Sequence, residues 1–184
     1  ADAPLKAHVS PLKLRDIQVA LALFCGSAKY LFIHIPKNAG VALRHNPELR
    51  WKMVGVNRFM LRDRAYLDGL LLEMGAAGEH HGVGHARLRD VRANIASRLQ
   101  PVATLRNPWS RTASRYLFAL QAAKAGAKWT SARELSFEAF LDTRHEDGNR
   151  PYFWHRAVRG WYPQLDYVVD AQGKISADLL RQEH

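Results

Sequence analysis

The chain has 184 residues, 47% of them hydrophobic, which suffices for one domain with a buried core and argues against disorder. Its 27 Lys and Arg residues outnumber 17 Asp and Glu residues, and this formal net charge of +10 favours anionic partners. A single cysteine excludes an internal disulfide, and the scattered histidines lack zinc-ligand spacing, so we expect no metal. No apolar stretch reaches the roughly 18 residues of a membrane-spanning helix, so we expect no transmembrane segment.

Predicted strands and helices alternate along the chain. Short apolar runs predict strands at 30–35, 101–106 and 165–169. Apolar residues at helical spacing predict helices at 10–26, 58–74, 87–99, 108–126 and 136–141, with a shorter one from Val41. In the helix after Asn107-Pro108, a capping start, the spacing predicts a buried face made of Trp109, Thr112, Ala113, Tyr116, Leu117 and Leu120. The alternation predicts an α/β domain with a parallel sheet.

The first predicted strand runs into a loop that suits an anion. Residues 33–40 read Ile-His-Ile-Pro-Lys-Asn-Ala-Gly, so small residues connect the strand to a helix. That arrangement points backbone N–H groups at an anion and adds Lys37 as a mobile cation. The GxxxxGK[ST] spacing of nucleotide-hydrolysing loops is absent, which argues against ordinary ATP or GTP hydrolysis. A surface turn that contains a lysine is the alternative interpretation.

A second strand-to-helix junction carries Arg106 at the end of its strand and Ser114 two turns along the helix. Open α/β sheets bind ligands at the carboxyl ends of their strands. A guanidinium and a hydroxyl that converge there would suit a phosphate group. The alternative is that Arg106 pairs with a carboxylate and that Ser114 is merely exposed.

Together the two junctions resemble the paired cofactor motifs of the carbohydrate-type sulfotransferases of family 2, which use 3′-phosphoadenosine 5′-phosphosulfate (PAPS). Residues 34–43 match the first motif, approximately HIPKTGGTSL, and residues 106–116 match the second, approximately RxPxxRxxSxY. Weaker matches are Gly84-His85-Ala86, the segment 136–141 and the closing region 164–183. The resemblance implies a P-loop-like, three-layer α/β fold with a central parallel sheet flanked by helices. It places the sulfotransferase domain at 30–184, after an N-terminal extension with a helix at 1–29.

The resemblance also implies roles for individual residues. It assigns the 5′-phosphosulfate of the co-substrate PAPS to the first loop, formed by Pro36, Lys37, Asn38, Ala39, Gly40 and Val41. Lys37 inherits a catalytic role, because a cation there stabilises the charge that grows as sulfuryl transfers. Arg106 and Ser114 inherit the 3′-phosphate of PAPS and of its product PAP. His85 is the candidate general base for an acceptor hydroxyl, with a purely structural histidine as the alternative.

The expected reaction gives a sulfate ester on a carbohydrate or glycolipid, which the aromatic and basic cluster at 152–161 suits if the acceptor is anionic. No nucleic acid partner is expected. Val41-Ala42 replaces the family's Thr-Ser pair and removes two hydroxyl donors, so a non-catalytic module that binds anions, glycans or nucleic acid is an alternative. A nucleotide-dependent phosphotransferase is another. We expect a bacterial cytoplasmic protein, and membrane association through the acceptor is left open. Members of the family usually continue beyond the position of residue 184, so we expect the domain to be incomplete.

Overall fold

The computed structural model of the chain describes residues 14–76, 82–127, 135–143 and 163–183. The α-helices in these ranges are α1 (Leu14–Phe24), α2 (Gly40–His45), α3 (Arg64–Ala76), α4 (Ala93–Ala96), α5 (Pro108–Lys124), α6 (Phe137–Asp142) and α7 (Leu165–Val168). The strands are β1 (Tyr30–Ile33), β2 (Met53–Gly55), β3 (Gln100–Leu105) and β4 (Asp178–Arg181). Short 3₁₀ helices span Pro47–Leu49, Gly82–His85 and Leu88–Asp90. The start of the first predicted helix, 10–13, and the cluster at 152–161 lie outside the described residues.

The four strands form one parallel sheet in the order β2-β1-β3-β4. Ile33 pairs with Ala103, so the two central strands run side by side to almost the same level. Because parallel strands end at one edge of a sheet, the loops after β1 and β3 open beside each other. The structure therefore confirms the predicted α/β class with a parallel sheet and helices.

The core forms around the two central strands. Leu31, Ile33 and Ala103 are fully buried, as expected for strands covered on both faces. Helix α1 contributes Val19 and Ala22 to the same apolar cluster. The first helix therefore packs on the core of the sheet, as predicted, but through a different face: Leu14, Ile17, Leu21 and Phe24, whose spacing predicted the helix, are exposed.

Two of the long predicted helices are shorter in the structure because a tertiary pairing interrupts both. Leu61 and Val91, both buried, form an antiparallel bridge, so the predicted helix 58–74 begins only at Arg64. The Arg92 N–H donates to the Met60 carbonyl at 2.8 Å across this bridge. The predicted helix 87–99 is reduced to a 3₁₀ turn and α4 for the same reason. Backbone pairing between distant segments has overridden local helical periodicity here.

The C-terminal strand lies further along the chain than predicted. Residues predicted as the strand 165–169 form the helical turn α7, which buries Tyr167 and Val168. The turn predicted at 170–174 is present, with the Asp170 carboxylate accepting from the Lys174 N–H at 3.0 Å. After this turn the chain forms β4, which joins the sheet beside β3. The sequence prediction also missed β2, which is only three residues long.

Helix α5 begins where predicted and has the predicted cap, but the predicted buried face is only partly correct: Tyr116 and Leu120 are half-buried against Ala119 and Phe140. Asn107 caps it by accepting from the N–H groups of Trp109 and Ser110. The buried residues are instead Arg111, Arg115, Ala119 and Ala123, spaced four apart. Trp109 and Leu117 are 83% and 58% exposed, and Ala113 is exposed as well. The helix turns its arginines inward because at least Arg111 bonds a buried backbone carbonyl there, as described below.

Candidate functional site

The loop from β1 to α2 holds two non-glycine residues in left-handed backbone conformations. Lys37 has φ of 67° and Ala39 has φ of 57°. Alternation of this kind directs successive backbone N–H groups into one concavity, which is a common way to bind an anion. Within the described residues, no hydrogen bond engages the N–H groups of residues 37–41. This loop therefore has backbone donors that no described residue uses, and its binding of an anion stays a prediction.

Gly40 is required by packing against a histidine. A Cβ at position 40 would overlap Cδ2 and Nε2 of the His34 ring. That ring is buried and stacks on Phe32, with ring centroids 5.6 Å apart. The glycine thus lets the loop close over His34, a role separate from the ligand contact that the sequence assigned to it.

Arg106 joins the end of β3 to the loop after β1. Its Nη1 donates to the Lys37 carbonyl oxygen at 3.2 Å. Two steps back along β3, the Thr104 hydroxyl donates to the Asn38 carbonyl at 2.5 Å, and the Asn38 amide donates to the Thr104 carbonyl at 2.7 Å. The loop is therefore fixed to the neighbouring strand at several points. Arg106 thus contacts the backbone of Lys37, whereas the described residues show no hydrogen bond between Arg106 and Ser114, the pair that the sequence predicted to converge.

Gln164 completes this connection from a distant part of the chain. Its side chain accepts from the Arg106 N–H at 3.0 Å and donates to the Arg106 carbonyl at 2.7 Å, as a paired strand residue would. The same side-chain oxygen accepts from the Asn38 amide at 2.5 Å. Asn38 is fully buried, and its own Oδ1 accepts no hydrogen bond from a described residue. A buried acceptor of this kind is normally completed by water or a ligand donor.

Lys37 is a half-buried cation that lies between an aromatic ring and a second cation, Arg106. Its Nζ lies 4.0 Å from the centroid of the Phe118 ring, a cation–π contact. Partial burial, and then the charge of Arg106, lower the pKa of Lys37 below its ordinary value. Among the described residues, no carboxylate forms an ion pair with either cation. A bound anion would relieve this repulsion, so the site is prepared for negative charge.

Further positive charge lies under the loop on α5. The Arg111 Nε donates to the Pro36 carbonyl at 3.1 Å, which anchors the start of the loop to the helix. Burial lowers the pKa of Arg115, and the neighbouring Arg111 guanidinium lowers it further. The hydrogen bond of Arg111 explains why this face of α5 points inward. Both arginines extend the positive potential beneath the predicted anion site.

His85 lies against the same loop. Its Nδ1 is 2.9 Å from the His34 carbonyl oxygen, and the two imidazole rings have centroids 4.3 Å apart. A carbonyl oxygen only accepts, so this hydrogen bond requires the proton on Nδ1 and leaves Nε2 unprotonated in the neutral ring. Half-buried His85 thus has the tautomer that a general base needs.

Two predicted residues, Ser114 and Val41, have no described side-chain hydrogen bond with the other predicted residues. Ser114 is half-buried on α5, one turn after Arg111, and makes no hydrogen bond to the other predicted residues within the described ranges. Val41 is 57% exposed at the start of α2, so its side chain is open to solvent. The structure thus places the loop residues Pro36 to Gly40 together with His85 and Arg106, whereas no described hydrogen bond connects Ser114 to any of them.

Comparison of the chain with protein-family models, with curated proteins and with solved structures finds no match. The resemblance to sulfotransferases therefore stays a prediction. Among the described residues, no cluster of His, Cys, Asp or Glu could hold a metal ion. Within those same ranges, no helix has the length and apolar character needed to cross a membrane.

Sequence reasoning missed the residues that support the site. Thr104 looked like an ordinary strand residue, and Phe118 like an ordinary residue of α5. Gln164 was noticed only as part of a weak match in the closing region. A polar residue directly before the apolar run 165–169 is the one local signal that could have indicated its buried, structural role.

The arrangement favours chemistry on an anionic group beside a base. Backbone N–H groups and two cations can neutralise charge on a phosphate or sulfate. His85 on the adjoining 3₁₀ helix can accept a proton. The site thus combines anion stabilisation with a base, which are the two requirements of group transfer to a hydroxyl.

Proposed function

We propose that this chain is a PAPS-dependent sulfotransferase that moves a sulfuryl group to a hydroxyl of a carbohydrate or glycolipid acceptor. The observation that carries the proposal is the hydrogen bond of Arg106 to the Lys37 carbonyl, which joins the two predicted phosphate-binding junctions. Two anionic ends of one nucleotide need two cationic positions. The chain supplies them at the ends of adjacent strands, with no described carboxylate paired to either.

In this reaction Lys37 and the N–H groups of residues 37–41 stabilise the phosphate oxygen that leaves. The acceptor oxygen forms a bond to sulfur as the bond from sulfur to the 5′-phosphate oxygen breaks. His85 takes the acceptor proton on Nε2, while its Nδ1–H continues to donate to the His34 carbonyl oxygen. The products are PAP and a sulfate ester, and the charge balances without an oxidant or reductant.

Arg106 and Ser114 hold the 3′-phosphate in this proposal and distinguish PAPS from nucleotides without that group. Gln164 keeps Arg106 in place through both of its backbone groups. The backbone donors of the loop take the place of the hydroxyls that Val41-Ala42 lacks. The alternative, a non-catalytic module that binds anions, would use the same residues but would transfer no sulfuryl group.

Transfer of ³⁵S from labelled PAPS to a panel of oligosaccharides and glycolipids tests the proposal. We expect Lys37→Met to lower turnover by about 10²–10³ and His85→Gln by about 10²–10⁴. Lys52→Met and His45→Gln change exposed residues outside the site and should leave turnover unchanged. If PAP binds but no acceptor is labelled above the level of Lys37→Met, the non-catalytic module becomes the better account.

A further inference from the structure

A groove separate from the candidate site lies between α1, α2 and β2. It has a volume of about 590 Å³, within the range of sites that bind small molecules. None of the residues 34–41 lines it, although α2 contributes the residues of its last turn. The groove, named here the α1–α2 groove, is therefore distinct from the anion-binding loop.

The α1–α2 groove is apolar at its floor and positive at its rim. Val19, Ala22 and Val54 form a buried floor. Arg44 and Arg50 stand at the rim with Trp51, which is 46% exposed. Among the described residues, no Asp or Glu lines the groove.

The rim residues are held by contacts that keep cationic and aromatic surface together. The Arg50 guanidinium lies 5.9 Å from the Trp51 ring centroid. The Arg44 Nε donates to the Gly40 carbonyl at 3.3 Å, one turn back along α2. Exposed apolar surface beside arginines matches a ligand that is apolar along its body and anionic at one end.

We propose that the α1–α2 groove binds a single-chain anionic amphiphile, with its acyl chain on the floor and its head group at Arg50 and Arg44. Charge complementarity decides the class of ligand. An apolar floor alone would accept any hydrocarbon, but the positive charge of Arg50 beside the Trp51 ring selects a negative head group.

Calorimetric titration of the full chain with laurate, below its micellar concentration, tests this site. We expect laurate to bind, while dodecyltrimethylammonium, with a similar chain and the opposite charge, does not. Arg50→Glu should weaken laurate binding at least about tenfold, because a charge-assisted hydrogen bond is replaced by repulsion. Trp51→Ala should weaken it as well by removing apolar surface from the rim.

Arg64→Glu is the matched control, because Arg64 is exposed on α3 and does not line the groove. It should bind laurate like the wild type. A saturating concentration of PAP should not displace laurate. The proposal is overturned if laurate does not bind, if Arg50→Glu binds it equally well, or if PAP displaces it. Self-association that Arg50→Glu abolishes, without laurate binding, would identify a second copy as the occupant and also overturn it.

Discussion

At the scale of single residues, the loop after β1 depends on conformations that its side chains do not favour. Lys37 and Ala39 both have positive φ, which costs about 1–2 kcal/mol for each residue with a Cβ. Gly40, by contrast, is needed for the space that it leaves beside His34. Strained backbone held by its surroundings is typical of ligand-binding loops.

Gly40→Ala tests the packing of the loop on His34. The added methyl group would overlap the buried imidazole, so we expect the free energy of unfolding to fall by about 1–3 kcal/mol. Urea denaturation measures this change. Gly75→Ala in helix α3 is the control, because a Cβ at position 75 meets no atom within 4 Å. We expect it to raise the free energy of unfolding by no more than about 1 kcal/mol, because alanine favours a helix more than glycine does. Equal effects of the two substitutions would contradict the role given to His34.

The lowered pKa of Lys37 gives stability a defined dependence on pH. Between that lowered pKa and the ordinary value of 10.5, the unfolded chain binds more protons at Lys37 than the folded chain does. Stability from this group therefore rises as pH increases through that window and is constant below it. Lys37→Met should stabilise the protein at pH 7 and reduce the rise.

Urea unfolding at pH 7 and at pH 10 measures this contribution. Lys52→Met replaces an exposed lysine and serves as the control, which should behave like the wild type. We expect Lys37→Met and Lys52→Met to differ in how the free energy of unfolding changes between pH 7 and pH 10. An equal change would mean that the pKa of Lys37 is not lowered by burial and by the charge of Arg106.

At the scale of elements, the site is a junction of two strands held by one side chain from elsewhere. Gln164 precedes α7, and it bonds both backbone groups of Arg106 at the end of β3. On the outer side of the same junction, the Glu183 carboxylate accepts from the Asn107 N–H at 2.7 Å. The closing region of the chain thus fixes the strand end that carries Arg106.

Gln164→Glu tests this connection with almost no change in shape. It replaces the amide donor by an oxygen that faces the Arg106 carbonyl, so we expect a loss of about 1–3 kcal/mol in the free energy of unfolding. Thermal and urea denaturation measure the loss. Gln121→Glu, on the exposed side of α5, should change stability by less than about 0.5 kcal/mol. A Gln164→Glu protein as stable as the wild type would show that the amide does not hold the strand end.

The parts of the site that sequence predicted are those with local signals. Residues 33–40 read as strand, loop and helix because an apolar run, a proline and small residues follow each other directly. Asn107 was predicted as a cap on the same local grounds, and it caps α5. The partners of these segments could not be predicted, because Thr104 and Gln164 reach the loop from 66 and 126 residues away.

The errors in secondary structure have the same origin. Leu61 and Val91 were assigned to helices because their neighbourhoods have helical spacing, whereas a bridge between them determines their conformation. On α5 the apolar side was taken as the buried side. Arg111 is buried instead, because its guanidinium bonds the Pro36 carbonyl, which no periodicity reveals.

At the scale of the whole molecule, the parallel sheet brings cationic side chains from separate segments to the carboxyl ends of its two central strands. The chain carries a formal charge of +10, and three of its cations, Lys37, Arg106 and Arg111, lie in or contact one loop. Arg106 after β3 and Arg111 on α5 both contact the loop that carries Lys37, so the site exists only when the sheet is assembled. Such a field attracts anionic ligands before contact and weakens with salt.

In the proposed function, one nucleotide with phosphates at both ends binds across the loop after β1 and the end of β3. Calorimetric titration with PAP and with AMP tests it most directly, in the wild type, in Arg106→Gln and in the exposed control Arg98→Gln. We expect PAP to bind about 10–100-fold more tightly than AMP, and Arg106→Gln alone to abolish this preference. Equal affinity for PAP and AMP, or no binding of PAP by the folded protein, would contradict the account.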